Sequence, residues 1–600
     1  MNRTNRIRPL PVILCVILFI LLSLKFFGYL SSDSNTKTLP HDDFKLDTKD
    51  NRAKLEDAAQ LRLELDAKIV QLQEAKEKIE QLNKLSNQHK CESKGDLEKK
   101  LISSQQAYEK LKADKSKVEK ELSEKDSQLA KYTLTTTSPF EGQKLVHFDL
   151  KGAPPKIKYL LQLLPLFKKL GATGLLMEYE DMFPYTGNIS VLARNNSYTA
   201  QDIAKIHTTA TQLKLTIIPL IQTFGHMEFV LKHDQFTHLN EVSHHKMVIC
   251  SGCNGSYELI EEMIRQIMTL HPGIDYIHIG GDEVYDLYKH KHTRGKFISK
   301  EKLFTTHIMQ VSSYINSHWS NVRVIIWDDM LRTWSVDHIA NLKDYVIPMV
   351  WAYWSNLDEY FPTGMWQRYA KVFREVWIAS AFKGAGGSDN DFPPIQQHVG
   401  NQESWLKIIA SLQDTGMTVT GIALTGWSRY DHFANMVELL PAGITSLALC
   451  LGVLEAGEMN HKVVMTATHL LGCPKNITVA INRKYQAEEC SFTGSAAFYA
   501  IGIYYQGTIH YDRARNVIPT WHTRFQRKRG RISPFRLERA YAECMESKKY
   551  LLKAQKIVRT SFAKLFYVRD IQEWMITKII TKLANVDSLL KKLEDYKVAS

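Results

Sequence analysis

Residues 274–286, IDYIHIGGDEVYD, carry an alternating apolar run, Tyr276-Ile277-His278-Ile279, into Gly280 and Gly281 and then into two adjacent carboxylates, Asp282 and Glu283. Buried like charges are costly and raise one another's pKa. Such a pair at a strand end therefore faces water or performs chemistry. Two carboxyls that flank a glycosidic bond stand about 5–5.5 Å apart for retention or 6.5–9.5 Å for inversion. Neighbouring residues, with Cα atoms ~3.8 Å apart, are poorly placed to clamp opposite faces of one bond. If both act, the nucleophile comes from the substrate: a 2-acetamido carbonyl attacks the anomeric carbon. Asp282 would then orient the amide N–H, and Glu283 would protonate the leaving oxygen and later activate water. A charged neighbour and aromatic walls are expected to raise the Glu283 pKa.

Eight short apolar runs include this one: 145–150, 173–179, 215–221, 276–280, 322–327, 345–351, 375–382 and 421–427. Helix-like segments such as PKIKYLLQLLPLFKKLG separate them. The pattern predicts an α/β fold, a closed (β/α)8 TIM barrel over residues 144–455. An open doubly wound sheet would show a glycine-rich phosphate turn after its first strand; KGAPPK stands there instead.

Barrel chemistry sits at the carboxyl ends of the strands. Those ends hold Asp149 and Lys151; Glu178, Glu180 and Asp181; Gln222 and His226; Trp327, Asp328 and Asp329; Trp351, Tyr353 and Trp354; and Trp427, Tyr430 and Asp431. One tryptophan is more often core than ligand contact. Their recurrence at one rim, with carboxylates between them, suits a sugar, whose apolar ring faces stack on aromatics while its hydroxyls need polar partners. His278 is ambiguous, as a barrel-core histidine or a site residue.

The remaining chain sets these units in context. The 600 residues carry a formal net charge of +13. No zinc-finger spacing or basic zipper occurs, so nucleic acid is not an expected partner. Residues 1–9 contain Arg3, Arg6 and Arg8 and no acid, and residues 10–30 contain one charge, Lys25. That is the ~20-residue length of a membrane span. Bulky Phe26, Phe27, Tyr29 and Leu30 follow, where a cleaved signal peptide would end in small residues. A transmembrane signal-anchor at 10–30 is predicted, with 1–9 cytoplasmic and the rest lumenal. A single-pass type II protein of the Golgi membrane is expected, with another secretory compartment or the plasma membrane as the alternative.

After a linker at 31–50, heptads such as Ala58, Leu65, Leu72 and Ile79 predict a coiled-coil stalk at 51–131, able to form a homodimer. A lone solvated helix is the alternative. A linker at 132–143 precedes the barrel. Sequons lie at Asn188, Asn195, Asn254 and Asn476, on the expected lumenal side, and at Asn2, on the expected cytoplasmic side. Cys250 and Cys253 read as a local disulfide or unpaired thiols. Residues 456–600 are expected to be mainly helical, and the basic run 524–531 reads as a solvated loop or as a contact for anionic membrane or glycan.

HIGGDEVYDL resembles the motif of family 20 β-hexosaminidases, and HFDLKGAPPK, EYEDMFPY, PLIQTFGHMEFVLKH, WDDMLR, ASAFKGA and LTGWSRYDH resemble their hexosaminidase D branch. The resemblance covers about residues 144–455. It implies a retaining, substrate-assisted exo-β-N-acetylhexosaminidase without metal or cofactor, acting on glycans with terminal β-linked GalNAc or GlcNAc. It places the amide-orienting role on Asp282 and the acid/base role on Glu283. It puts His226 in the pocket, Trp327, Trp351 and Trp427 in the walls, and Asp149 and Tyr353 at hydroxyl or amide contacts. Two features depart from the family. Many members carry an arginine on the first strand, where this chain has Lys151, and the small sheet domain before the barrel of lysosomal members is replaced by the stalk. A glycan-binding barrel without catalysis and a coiled-coil tether with a passive barrel are the competing readings.

Overall fold

The computed structural model describes residues 94–132, 138–296, 299–477 and 490–598, with isolated positions between 64 and 80. The expected tail, span and linker at 1–50 lie outside the described residues. Among the described residues no helix is long and apolar enough to cross a membrane. The chain divides into two units, Met1–Thr135 and Thr136–Ser600. In the first, Lys94–Tyr132 is one 39-residue helix. Lysine–glutamate pairs four residues apart, such as Lys115 with Glu119 at 2.6 Å, line its surface.

The second unit is built on eight parallel strands: β1 (Gln143–Asp149), β2 (Gly174–Glu178), β3 (Thr216–Leu220), β6 (Tyr276–His278), β7 (Arg323–Trp327), β8 (Ile347–Trp351), β9 (Glu375–Lys383) and β10 (Thr418–Gly426). They close in the order β1-β10-β9-β8-β7-β6-β3-β2. All eight coincide with the apolar runs of the sequence, because strands covered on both faces are nearly continuously hydrophobic. Outside the barrel, β4 (Asn240–Val242) and β5 (His245–Ile249) form an antiparallel hairpin after β3, an element with no distinct signal in the apolar pattern.

Two apolar layers result. Inside the barrel, Leu145, Leu176, Ile218, Leu220, Tyr276, Ile325, Met349 and Trp377 form a separate buried cluster. Outside, helices such as Ile157–Lys169, Ser256–Leu270 and Ile395–Leu412 cover the sheet with their buried faces. The amphipathic spacing of these segments is what allows one face to be buried and the other wetted.

The C-terminal region is helical, as expected, with long helices at Ser495–Trp521, Pro534–Ser561 and Thr581–Val598. A disulfide joins Cys473 and Cys490. Residues 562–578 bind the loops at the carboxyl end of the barrel. After β1, Lys156 N–H donates to the Leu565 carbonyl at 2.7 Å. After β2, Arg194 Nη2 donates to both oxygens of Asp570 at 3.1 and 3.2 Å. After β9, Lys578 pairs with Asp391 at 2.8 Å. Buried Trp574 packs on Phe562 and Tyr504 behind these contacts.

The Arg194–Asp570 side chains are only 7% and 3% exposed. Removing one partner of a buried pair strands the other charge. Arg194→Ala is expected to lower unfolding free energy by about 3 kcal/mol in urea titrations, more than the removal of an exposed pair such as Lys205 with Asp202.

Candidate active site

β6 ends at His278, and the chain then turns through Gly280 (φ 73°) and Gly281 (φ 93°) to Asp282 and Glu283. A Cβ on Gly280 would lie 2.0 Å from Gln222 Oε1, and one on Gly225 would lie 2.2 Å from the Asp282 carbonyl oxygen. Both glycines thus allow backbone and side chains of adjacent strand ends to meet. Glu283 and His226 both hold φ 50°, a left-handed conformation that non-glycine residues rarely adopt and that only the surrounding structure sustains.

The strain brings three side chains together. His226 Nε2 lies 3.3 Å from Asp282 Oδ2 and 3.2 Å from Glu283 Oε2. Tyr285 O–H donates to Glu283 Oε1 at 3.3 Å. Glu283 N–H donates to Asp329 Oδ2 at 2.9 Å, and Trp351 Nε1–H donates to Asp329 Oδ1 at 3.1 Å. Asp282 Oδ1 is buried and has no hydrogen-bond partner.

Burial presses the His226 pKa down, but the Asp282 carboxylate and the bonds to Asp282 and Glu283 carry it well above the ordinary histidine value. The hydrogen bond from His226 holds Glu283 below the usual carboxyl range, against the upward push of burial. This corrects the expected upward shift. Asp282 turns its charge toward His226, and the resulting cation outweighs the like charge next door in sequence. Asp329, which accepts the Glu283 N–H, is instead raised, pushed up to about 7 by burial and by the Asp282 charge.

Asp282, Glu283, His226, Trp327, Trp351, Tyr353 and Trp427 all line one pocket. Trp351 and Tyr353 stack at 5.3 Å. Arg332 lies over the Trp351 ring at 4.8 Å and grips Asp328 with two bonds of 2.9 and 2.7 Å, which fixes that wall. Trp327 is 1% exposed and meets the buried His278 ring at 4.4 Å. His278 is a structural residue: it accepts Gly280 N–H at 3.0 Å, and burial lowers its pKa to about 3.

Asp149 is the one predicted binding residue that does not reach the pocket. It is buried, accepts Ser428 N–H at 2.7 Å, and pairs with Lys151 at 2.9 Å. Lys151 takes its place in the lining, with Glu178, Gln222 and Arg429. Lys151 also lies 3.5 Å from Glu178 and 3.6 Å from Glu180. Burial opposes the lysine charge, yet these three carboxylates raise its pKa well above the ordinary value. Glu178 is bonded to His147 at 3.0 Å. These residues stand at the strand ends already singled out in the sequence. What the sequence lacked was any sign of which carboxylate pairs with a cation and which faces the cavity.

With this geometry, the comparisons with known proteins converge. The model of the glycosyl hydrolase family 20 catalytic domain matches residues 160–366. Hexosaminidase D of Homo sapiens is 35% identical over 474 residues, spanning 77% of this chain and 96% of its own length. The chain belongs to glycosyl hydrolase family 20. Hexosaminidase D of Bos taurus is 42% identical over 336 residues, 55% of this chain and 96% of its own. Among solved structures, Flavobacterium johnsoniae chitobiase aligns over 76% of this chain and 73% of its own, with 13% identity and a TM-score of 0.42.

Beyond the family 20 pocket, the donor atoms of Cys250, Cys253 and His290 converge within 4.8 Å, but the two sulfurs are joined in a disulfide, which removes them as thiolate ligands. Of the two pairings expected there, disulfide or free thiols, the disulfide is present.

Asp282 is the main source of the raised His226 pKa. Asp282→Asn is therefore expected to move the His226 titration to lower pH, followed by NMR of the ring proton that is absent from His226→Ala.

Proposed function

We propose that the chain is an exo-β-N-acetylhexosaminidase that removes terminal β-linked GalNAc or GlcNAc by retaining, substrate-assisted catalysis. The observation that carries this is Asp282 Oδ1, a buried carboxylate oxygen without a partner, on a pocket residue next to Glu283. An unpaired buried acceptor is costly, and the N–H of a 2-acetamido group satisfies it. The apolar barrel interior closes the pocket from below, which suits a chain end rather than an internal sugar.

The reaction then runs in two steps. The amide carbonyl oxygen attacks C1 as the glycosidic bond breaks, and the leaving oxygen takes a proton from Glu283. Asp282 holds the amide and offsets the positive charge of the cyclised group. Glu283 next takes a proton from water, whose oxygen attacks C1 and reopens the ring, so two inversions give retention. Trp327, Trp351 and Trp427 provide apolar faces and Tyr353 a hydroxyl beside them.

Glu283 needs a proton to begin, although His226 depresses its pKa. His226 supplies it. When the sugar amide donates to Asp282, the Asp282 charge holds the His226 cation less strongly, and the proton on Nε2 passes along the 3.2 Å hydrogen bond to Glu283 Oε2. The pair therefore titrates as a unit, and a pH profile reports the pair rather than either residue.

For location we propose a type II Golgi membrane protein, with the stalk as spacer and dimerisation element. The support is the arginine-flanked apolar stretch 10–30 and the exposure of the four sequon asparagines that follow it, Asn188, Asn195, Asn254 and Asn476.

Chromogenic β-GalNAc and β-GlcNAc test the activity. Glu283→Gln is expected to lower kcat by roughly 10²–10⁴, and Asp282→Asn by roughly 10²–10³, with folding intact. NMR of the first product should show the β anomer. A folded wild type that binds these sugars and cleaves neither would replace the enzyme by a glycan-binding barrel.

A further inference from the structure

Arg429 stands two residues beyond Trp427, at the end of β10, and lines the same pocket while only 8% exposed. Its Nη2 donates to both carboxylate oxygens of Glu573, at 2.8 and 2.9 Å, and its Nη1 donates to the Ala434 carbonyl at 2.9 Å. Its Nε is buried and has no partner. A guanidinium has five N–H donors. Three are used in these bonds, which leaves Nε–H and one Nη1–H. Glu573 belongs to the C-terminal helix Val568–Trp574, 144 positions away in the chain.

Strand order fixes where Arg429 stands on the rim. In the closed circle β1-β10-β9-β8-β7-β6-β3-β2, β10 is four places from β6 in either direction, the opposite side of the barrel. Asp282 and Glu283, after β6, take C1 and the 2-acetamido group. In a six-membered sugar ring C4 is opposite C1. The C3–C4 edge of the same ring therefore faces β10 and its neighbour β1, where Arg429 and Lys151 stand. A Cβ on Gly152 would come within 2.9 Å of Arg429 Nε, so the two cationic residues belong to touching loops. The orientation of O4, axial or equatorial, is the difference between GalNAc and GlcNAc.

We propose that Arg429 donates to the hydroxyls on the C3–C4 edge of the terminal sugar, and that Glu573 is the positioning residue that holds it there, so that the C-terminal helices complete the sugar site. This rests on reading the pocket as a β-HexNAc site. Both bonds to Glu573 leave Nη2, and together with the Nη1 bond to the Ala434 carbonyl they anchor two guanidinium nitrogens before substrate arrives, which removes the ordering cost from binding. The Glu573 charge also offsets Arg429, so that it and Lys151 are tolerated at one rim.

The test uses the full chain. Glu573→Gln keeps the shape and weakens the clamp. KM for both chromogenic sugars is expected to rise about tenfold while kcat changes by less than about threefold. Arg429→Ala is expected to raise KM further and to change the ratio of kcat/KM for GalNAc over GlcNAc. Adding Glu573→Gln to Arg429→Ala should cost nothing more, because the clamp then has nothing to hold. Ser547→Ala is the stability control. It removes a buried bond to the Gly507 carbonyl between two long C-terminal helices, and should lower Tm with KM unchanged.

An unchanged KM in Glu573→Gln, an equal KM rise in Ser547→Ala, or a full additional loss in the double variant would each overturn the positioning role. Binding of N-acetylglucosamine, read by fluorescence of the pocket tryptophans, separates this from the enzyme reading. A wild type that binds without cleaving, with affinity lost in Glu573→Gln, removes the enzyme and keeps the clamp. A wild type that neither binds nor cleaves overturns both.

Discussion

Closure of the barrel is the constraint from which the site follows. Along a strand, only every second residue faces inward. On β1 the inward series is Leu145, His147 and Asp149; on β2 it is Leu176 and Glu178; on β7, Ile325 and Trp327; on β8, Met349 and Trp351. The lower members of each series join the apolar interior cluster. The upper members are polar or aromatic, and Glu178, Trp327 and Trp351 among them line the pocket. The same alternation continues beyond the strands to Lys151, Tyr353, Asp329 and Arg429. The pocket is therefore the polar top layer of a packed barrel, not a cavity added to it.

Concentrating charge in that layer has consequences that the layer itself must meet. Asp149, Glu178 and Glu180 surround Lys151 within 3.6 Å. A buried carboxylate without such a partner would be protonated or would destabilise the fold. Across the barrel, His226 performs the same service for Asp282 and Glu283. Glu283 breaks the alternation, since it follows an inward residue directly. Its left-handed backbone turns the side chain back toward the pocket, and the bond from its N–H to Asp329 holds that turn. Stored strain at this residue and at His226 is the local cost of bringing adjacent carboxylates and a histidine together in one pocket.

The C-terminal helices extend this logic outward. Loops at the barrel mouth carry function and are the part of the fold with fewest constraints. Here the loops after β1, β2, β9 and β10 are each bonded to residues 562–578. The Arg429 contact differs from the others in that its cationic partner also lines the pocket. Order at the mouth thus comes from a segment that contributes no strand to the barrel.

Several features were determined by sequence alone. The eight strands were legible because apolar runs of this length report burial on both faces, and burial is a property of each segment's own composition. The Asp282–Glu283 pair and the rim tryptophans were legible for a related reason: polar and aromatic residues at the end of such runs violate the local pattern. The role of Asp149 was not legible, because its distance from the cavity depends on where Lys151 and Ser428 lie. Nor was the direction of the Glu283 shift, which is set by a histidine 57 positions earlier in the chain. The β4–β5 hairpin and the Glu573 clamp were equally silent. Tertiary structure decided these, because pKa values and side-chain pairing depend on distances between residues remote in sequence, and no local pattern records those distances.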